Sequence, residues 1–402
     1  MTIDQTNSND TPRKAWRIRL AAVAVCVCSL AVLWWNLSHA TKIPEGLSDA
    51  HYRLAANKWQ LATGRTPNHI ETLMMAGELA IQRNDLKAAV AAFGAVPDDH
   101  SQFGNNARFQ EAQVMVRLNL AHDAERSFRR FLVLSKGDPK VPQSNITAAR
   151  KWLSFLLSVQ LRLDERSQVL AAAHESRQID LMDSKQYFFP RLLIWNSSTG
   201  RTRLNDFLRK DNTNLLLNIS LARYLTGEGK LSESRTILAD LVKAFPDHPA
   251  CKAAVLECCF EQNDWAAIAQ ILKTPESHRE HELHLISALR GELALHEERW
   301  ADAIQEFQRA LKSDASDPAV HMGLAKAYGK LDQAENQMAA QQRSLILSRI
   351  RVGMARVTEQ SAEAARELAE MCEQIDMTKA AEIFRWHSDR IASRLQNKDT
   401  AK

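Results

Sequence analysis

Apolar positions recur along this chain in a seven-residue step that itself repeats about every 34 residues: Leu86/Phe93, Ala121/Phe128, Leu231/Leu238, Trp265/Leu272 and Trp300/Phe307. Three residues after the first member of each pair stand Ala89, Ala124, Ser234, Ile268 and Ala303. These are mostly small side chains, placed where a second helix must approach a first closely. Runs of this period predict stacked helical hairpins, each burying its apolar face only against its neighbours. No alternation of apolar and polar residues is long enough to predict a sheet, so the expected class is all-α.

Punctuation agrees with that reading. Thr66-Pro67, Asp138-Pro139, Asp247-His248-Pro249 and Asp317-Pro318 each set polar residues ahead of a helix start. Proline is tolerated at the first helical position because its missing N–H has no partner there anyway. Gly227 and Gly229 mark a tight turn within one hairpin, where a residue at positive φ costs little without a Cβ.

The clearest internal echo joins Gly77-Glu78-Leu79-Ala80 to Gly291-Glu292-Leu293-Ala294, followed at matching distances by Ala89 and Phe93, and by Ala303 and Phe307. This pattern resembles the tetratricopeptide repeat family, in which a small residue on the first helix packs against a small residue and an aromatic on the second. The resemblance covers most of Ile70 to Ile391 and implies a right-handed superhelical solenoid. Units near Glu71–Pro97, Ala107–Leu134, Leu216–Pro246, Pro249–Lys273, Leu283–Leu311 and Ala319–Ser344 match well. In the last of these the turn through Gly329 and Lys330 reads short, with the second helix running from Leu331 through Ala334 and Met338. Residues 135–214 form an irregular middle, where Leu163/Leu170 is widely spaced and Gly200/Phe207 is a poor unit. Gln341–Gln360 is expected as one extended helix, leading to a last hairpin or cap over Glu363–Ile391 with Leu368, Met371, Ala380 and Phe384 in the family's positions.

In that family the first helices of successive hairpins line a concave groove that holds a peptide or a partner's helix. Carried over residue by residue, the groove positions are Met74, Glu78, Gln82, Phe109, Gln113 and Arg117, then Arg223, Glu292, His296, Met322 and Lys326. The set is mixed in charge and lacks the Lys and Asn arrangement with which some relatives clamp a C-terminal carboxylate. Other proteins are therefore the expected partners, and a homo-oligomer through Gln341–Gln360 is a second possibility.

The apolar run Leu20–Leu37 changes the picture at the N-terminus. Its 18 residues span roughly 27 Å as a helix, close to a bilayer core. Arg13, Lys14, Arg17 and Arg19 crowd one flank, whereas Lys42 is the only Lys or Arg between Leu37 and Arg53. Trp34 and Trp35 fit an interfacial belt. By the positive-inside rule the expectation is a single-pass membrane protein with a cytoplasmic N-terminus and an extracytoplasmic array. Cleavage after Ser38-His39-Ala40, releasing a soluble exported array, is the rival. The expected organisation is a basic N-terminus (1–19), a transmembrane anchor (20–37), a linker and first helix (38–65), the array (66–340), a long helix with terminal hairpin (341–395) and a tail (396–402). On this arrangement the expected function is a non-enzymatic scaffold in envelope assembly, maturation or export.

Composition narrows the chemistry. A net charge of +4 with acids and bases interleaved lacks the basic stripe of a nucleic-acid binder. Cys251, Cys258, Cys259 and Cys372 show no CxxC spacing, which argues against a zinc ribbon or haem attachment, and Cys251 and Cys258 lie too far apart along one helix to bridge. His278, His281 and His284 recur every third residue, the nearest approach to a metal site and the basis of an alternative metal- or redox-linked role. Arg279 and Pro275 make a solvated turn the preferred reading. With no nucleophile elbow or phosphate-cradling loop, no catalytic residue and no cofactor are expected.

Overall fold

The computed structural model describes residues 42–175, 179–190, 197–273, 283–358 and 360–400. Among them every regular element is a helix. The described residues divide into two compact units, those up to Leu118 and those from Asn119 onward. In the first, α1 (Asp49–Thr63), α2 (His69–Gln82), α3 (Leu86–Gly94) and α4 (Gly104–Arg117) pack in sequence. Asn68 opens α2 with a capping box: its Oδ1 accepts from the Glu71 N–H at 2.9 Å, and Glu71 accepts from the Asn68 N–H at 2.9 Å.

The second unit begins with α5 (Ala121–Leu134), α6 (Gln143–Val159), α7 (Leu163–Glu175), the short α8 (Leu181–Phe188) and α9 (Ser197–Leu208). It continues through α10 (Leu215–Gly227), α11 (Leu231–Ala244), α12 (Pro249–Glu261), α13 (Trp265–Leu272), α14 (Leu283–His296) and α15 (Trp300–Ser313). It ends with α16 (Pro318–Lys330), α17 (Ala334–Met354), α18 (Ala362–Glu373) and α19 (Thr378–Thr400).

One turn recurs between the helices of a hairpin. Asn84, Leu161, Gly229, Asn263, Glu298, Asp332 and Asp376 all sit at positive φ, between 53° and 75°, and each stands two residues before a second helix. In each case the next residue's N–H reaches back five positions to the first helix: Asp85 to Ala80, Arg162 to Leu157, Lys230 to Leu225, Asp264 to Cys259, Arg299 to Ala294, Gln333 to Tyr328 and Met377 to Cys372, at 2.8–3.0 Å. This bond satisfies a carbonyl that the helix end leaves without a partner. Gly229 takes the positive φ as its lack of a side chain suggests. At the other six turns Asn, Asp, Glu or Leu accepts it.

The seven-residue step is the hairpin's inner seam. Ala89, Ala124, Ser234, Ile268 and Ala303 have no exposed surface, and neither do Phe93, Phe128 and Phe307. A Cβ on Gly77 would stand 2.5 Å from the Phe93 ring, and one on Gly291 2.5 Å from the Phe307 ring. Phe307 also presses on Gly323 of α16, so one aromatic sits between glycines of two successive first helices. The unit starting at Ala319 departs from expectation. Its turn passes through Asp332 like the others, so the second helix starts at Ala334, and Leu331 and Met338 end up exposed rather than in the seam.

The irregular middle takes part in a long-range closure within the second unit. Leu181 and Phe189 join the core formed by α17, α18 and α19, with the Phe189 ring stacked on Phe384 at 6.0 Å. Ser184 and His387 share a hydrogen bond of 2.8 Å. Lys185 donates to the carbonyls of Met354, at 2.8 Å, and Val357. Because α9 packs on α6 and α19 on α8, the contacts of this unit form a closed circuit rather than an open row.

The expected single-pass membrane placement requires correction. No helix among the described residues is long and apolar enough to cross a membrane. The longest ones, α17 and α19, are studded with charge, including Glu335, Arg343, Arg349, Lys379, Glu382 and Arg385. The run 20–37 that carried the expectation, and the candidate cleavage site before residue 41, lie outside the described residues.

Candidate partner-binding faces

In the first unit, Glu78 and Gln82 project from α2 and Arg117 from α4, all exposed, with Gln113 half-buried. Arg117 donates to Asn84 Oδ1 at 3.1 Å, which ties the turn to the end of α4. Burial raises the Glu78 carboxyl above its ordinary value. Met74 and Phe109 are buried, at 3% and 5% exposure, so the structure makes them core residues of their helices.

In the second unit, α14 and α16 bring Glu292, His296, Met322 and Lys326 to neighbouring first helices. Met322 is 41% exposed, and His296 and Lys326 are exposed as well. The His296 ring lies flat on Trp265 of α13, 4.6 Å between centroids and 13° between planes. Glu292 is half-buried. Burial raises its carboxyl, with Lys326 pulling the other way and Asp317 adding to the rise. The face therefore offers an aromatic platform, a thioether, a cation and a carboxyl that desolvation makes reluctant to ionise. Sequence reasoning placed Trp265 in the hairpin step and did not assign it to the face. Its signal was the indole at a helix start, one hairpin before an exposed His.

Arg223 lies elsewhere. It is 8% exposed, pairs with Glu257 at 3.0 Å and reaches the Leu161 carbonyl at 3.4 Å. It lines a cavity of about 280 Å3 between the α6–α7 turn and the N-terminal ends of α10 and α12, together with Gln160, Arg162, Ser220 and His248.

Of the histidine triplet, His278 and His281 fall outside the described residues. His284 is buried, and both its ring nitrogens are engaged, with the Ala310 carbonyl at 3.1 Å and Asp317 Oδ2 at 2.8 Å. It fastens α14 to α15 and to the cap of α16. Cys251, Cys258, Cys259 and Cys372 are free thiols in the core. Burial pushes the Cys372 thiol up to about 12 and raises Cys251 and Cys259, which disfavours the reactive thiolate.

No family model matches the chain, and no curated protein matches it. Among solved structures it is similar to a tetratricopeptide repeat protein from Parabacteroides merdae, at 12% identity over 64% of this chain and 98% of that one, with a TM-score of 0.33. It is also similar to a structure titled MamA MSR-1 C2, at 14% identity over 47% of this chain and 97% of that one, TM-score 0.29. A third likeness is to the APC/C hetero-tetramer Cut9-Hcn1, at 12% identity over 85% of this chain and 84% of that one, TM-score 0.30. Likenesses at these scores establish no family, and the hairpin architecture stands on the chain's own turns and seams.

Proposed function

We propose that this chain is a non-enzymatic protein-interaction scaffold that takes a peptide or helical segment of a partner on the exposed face of its first helices. One observation supports this above others. The small and aromatic side chains of each hairpin are consumed in the seams, while α14 and α16 leave His296, Met322 and Lys326 exposed around a half-buried Glu292, with His296 stacked on Trp265. A pre-ordered surface of this kind costs little reorganisation on binding, so affinity is set by the partner's fit. Aromatic and thioether groups flanked by charge suit a segment with an apolar anchor and a polar rim. The corresponding face in the first unit would be formed by Glu78, Gln82 and Arg117. The expected role in envelope assembly, maturation or export rested on the run 20–37, which lies outside the described residues, and forms no part of this reading.

Photo-crosslinking in cells tests the reading. A benzophenone side chain at position 322 or 296 is expected to give discrete protein adducts, and the same probe at Gln308 on α15 to give none. Equal labelling at all three positions would remove the proposal.

A further inference from the structure

The outward side of α17 carries three large apolar side chains at intervals of seven: Met338, Leu345 and Val352, which are 63%, 53% and 71% exposed. Leu331, 38% exposed, continues the series just before the helix starts. The opposite side of α17 is already fixed in the core through Ala340, Leu347, Ile350 and Met354. The stripe is therefore a second apolar face on a helix whose packing is complete. Single exposed apolar residues are ordinary, but a row at one heptad position along a 21-residue helix keeps to one line on its surface, half of the two-position seam along which helices pair.

Beside the stripe runs a groove of about 620 Å3, walled by Arg349 on α17 and Arg356 in the turn just after it and by Glu367 and Glu370 on α18, with Met371 lining it between them. Its two walls thus carry opposite charge. A partner helix of one sign would be attracted by one wall and repelled by the other, whereas a second copy related by a two-fold axis brings both signs to the contact. Direction follows from the same charges. In a parallel pair Arg349 and Arg356 would each face their own copies. In an antiparallel pair centred on Leu345, Met338 meets Val352, and Glu335, nearly as far from Leu345 as Arg356 is, meets Arg356. Among the described residues the Arg356 side chain pairs with Glu367 in an exposed contact of 3.8 Å, a pairing weak enough to exchange.

We propose that α17 is a self-association helix, docking antiparallel on α17 of a second copy across Met338, Leu345 and Val352. The proposal is independent of the partner-binding face on α14 and α16.

Sedimentation equilibrium of the full chain compares wild type with the Leu345→Glu/Val352→Glu variant. Wild type is expected at twice the 45.3 kDa chain mass at micromolar concentration, and the variant at the single mass with an unchanged circular dichroism spectrum. Both substitutions fall on exposed positions, so the fold is preserved. Register is read by oxidation of single-cysteine variants. Leu345→Cys, at the axis, is expected to crosslink to its copy, whereas Met338→Cys, which faces Val352, is not. Equal masses for wild type and variant at every concentration, or self-crosslinking of Met338→Cys as fast as Leu345→Cys, would overturn the proposal.

Discussion

At the residue scale, the seam is decided by a few atoms. Phe307 has no exposed surface, and its ring occupies the space that a side chain on Gly291 or Gly323 would need. Adding a methyl group to a packed interior forces neighbours off their rotamers at about 1–3 kcal/mol. Gly291→Ala is therefore expected to destabilise by that amount in urea unfolding. Phe307→Leu in the same chain should relieve part of the clash, so that the double variant is more stable than the two single losses predict; strict additivity would show that Gly291 is there for another reason. Asp183 on α8 makes a second point, about charge. Burial, with Asp180 adding to it, raises its carboxyl from 3.8 to about 7, against the pull of Lys151 and Arg166. The folded value lies above the unfolded one, so the folded chain holds the proton more tightly. This contribution to stability is complete below pH ~4, declines as pH rises towards ~7 and is gone above it. Asp183→Asn keeps the neutral form at every pH. It should be more stable than wild type at about pH 8 and close to it at about pH 4, and equal stabilities at the higher pH would contradict the assigned environment.

At the scale of the element, the hairpin turn is the repeating device. Among the described residues, six of the seven turns with the five-position back-bond use a residue other than glycine at positive φ. Asparagine and aspartate tolerate this conformation, but Glu298 gains nothing from its exposed side chain and bears a cost of about 1–2 kcal/mol. Glu298→Gly removes that strain and loses about 0.5–1 kcal/mol to chain entropy, so a net gain of up to about 1.5 kcal/mol is expected, read as a higher thermal midpoint. A midpoint below wild type would show that the Glu298 side chain has a role of its own. These turns also explain how much could be read in advance. The seven-residue steps, the small residues beside them and the Gly77–Phe93 and Gly291–Phe307 contacts were legible because they depend on local spacing. The unit starting at Ala319 was misread at Leu331 and Met338, since a positive φ at Asp332 leaves no mark on hydrophobic period. Met74, Phe109 and Arg223 show the limit for the candidate faces. Period places a residue on a side of its helix, but the depth of packing against the next hairpin decides whether that side meets solvent.

On the scale of the whole molecule, the feature without a local signature is the closure inside the second unit. Ser184 and His387, or Phe189 and Phe384, lie about half the chain apart in sequence, and each pair meets through side chains that look ordinary in their own surroundings. Closure changes how stability is distributed. In an open row each hairpin feels only its neighbours, so damage at the end stays at the end. In a closed circuit the C-terminal hairpin is also a neighbour of α8, a short helix that packs on α7 and α19 and whose Leu181 joins the core of α17, α18 and α19. Phe384 has no exposed surface and touches both Phe188 and Phe189. Truncating it to Ala leaves a cavity that costs about 3–5 kcal/mol where the site cannot collapse. Amide hydrogen exchange in Leu181–Phe188 should then accelerate by at least tenfold, together with that of α18 and α19, while α12 and α13, on the far side of the circuit, keep their wild-type protection. If α8 keeps its protection in Phe384→Ala while α18 and α19 lose theirs, the contacts between them carry no energy and the unit behaves as an open row.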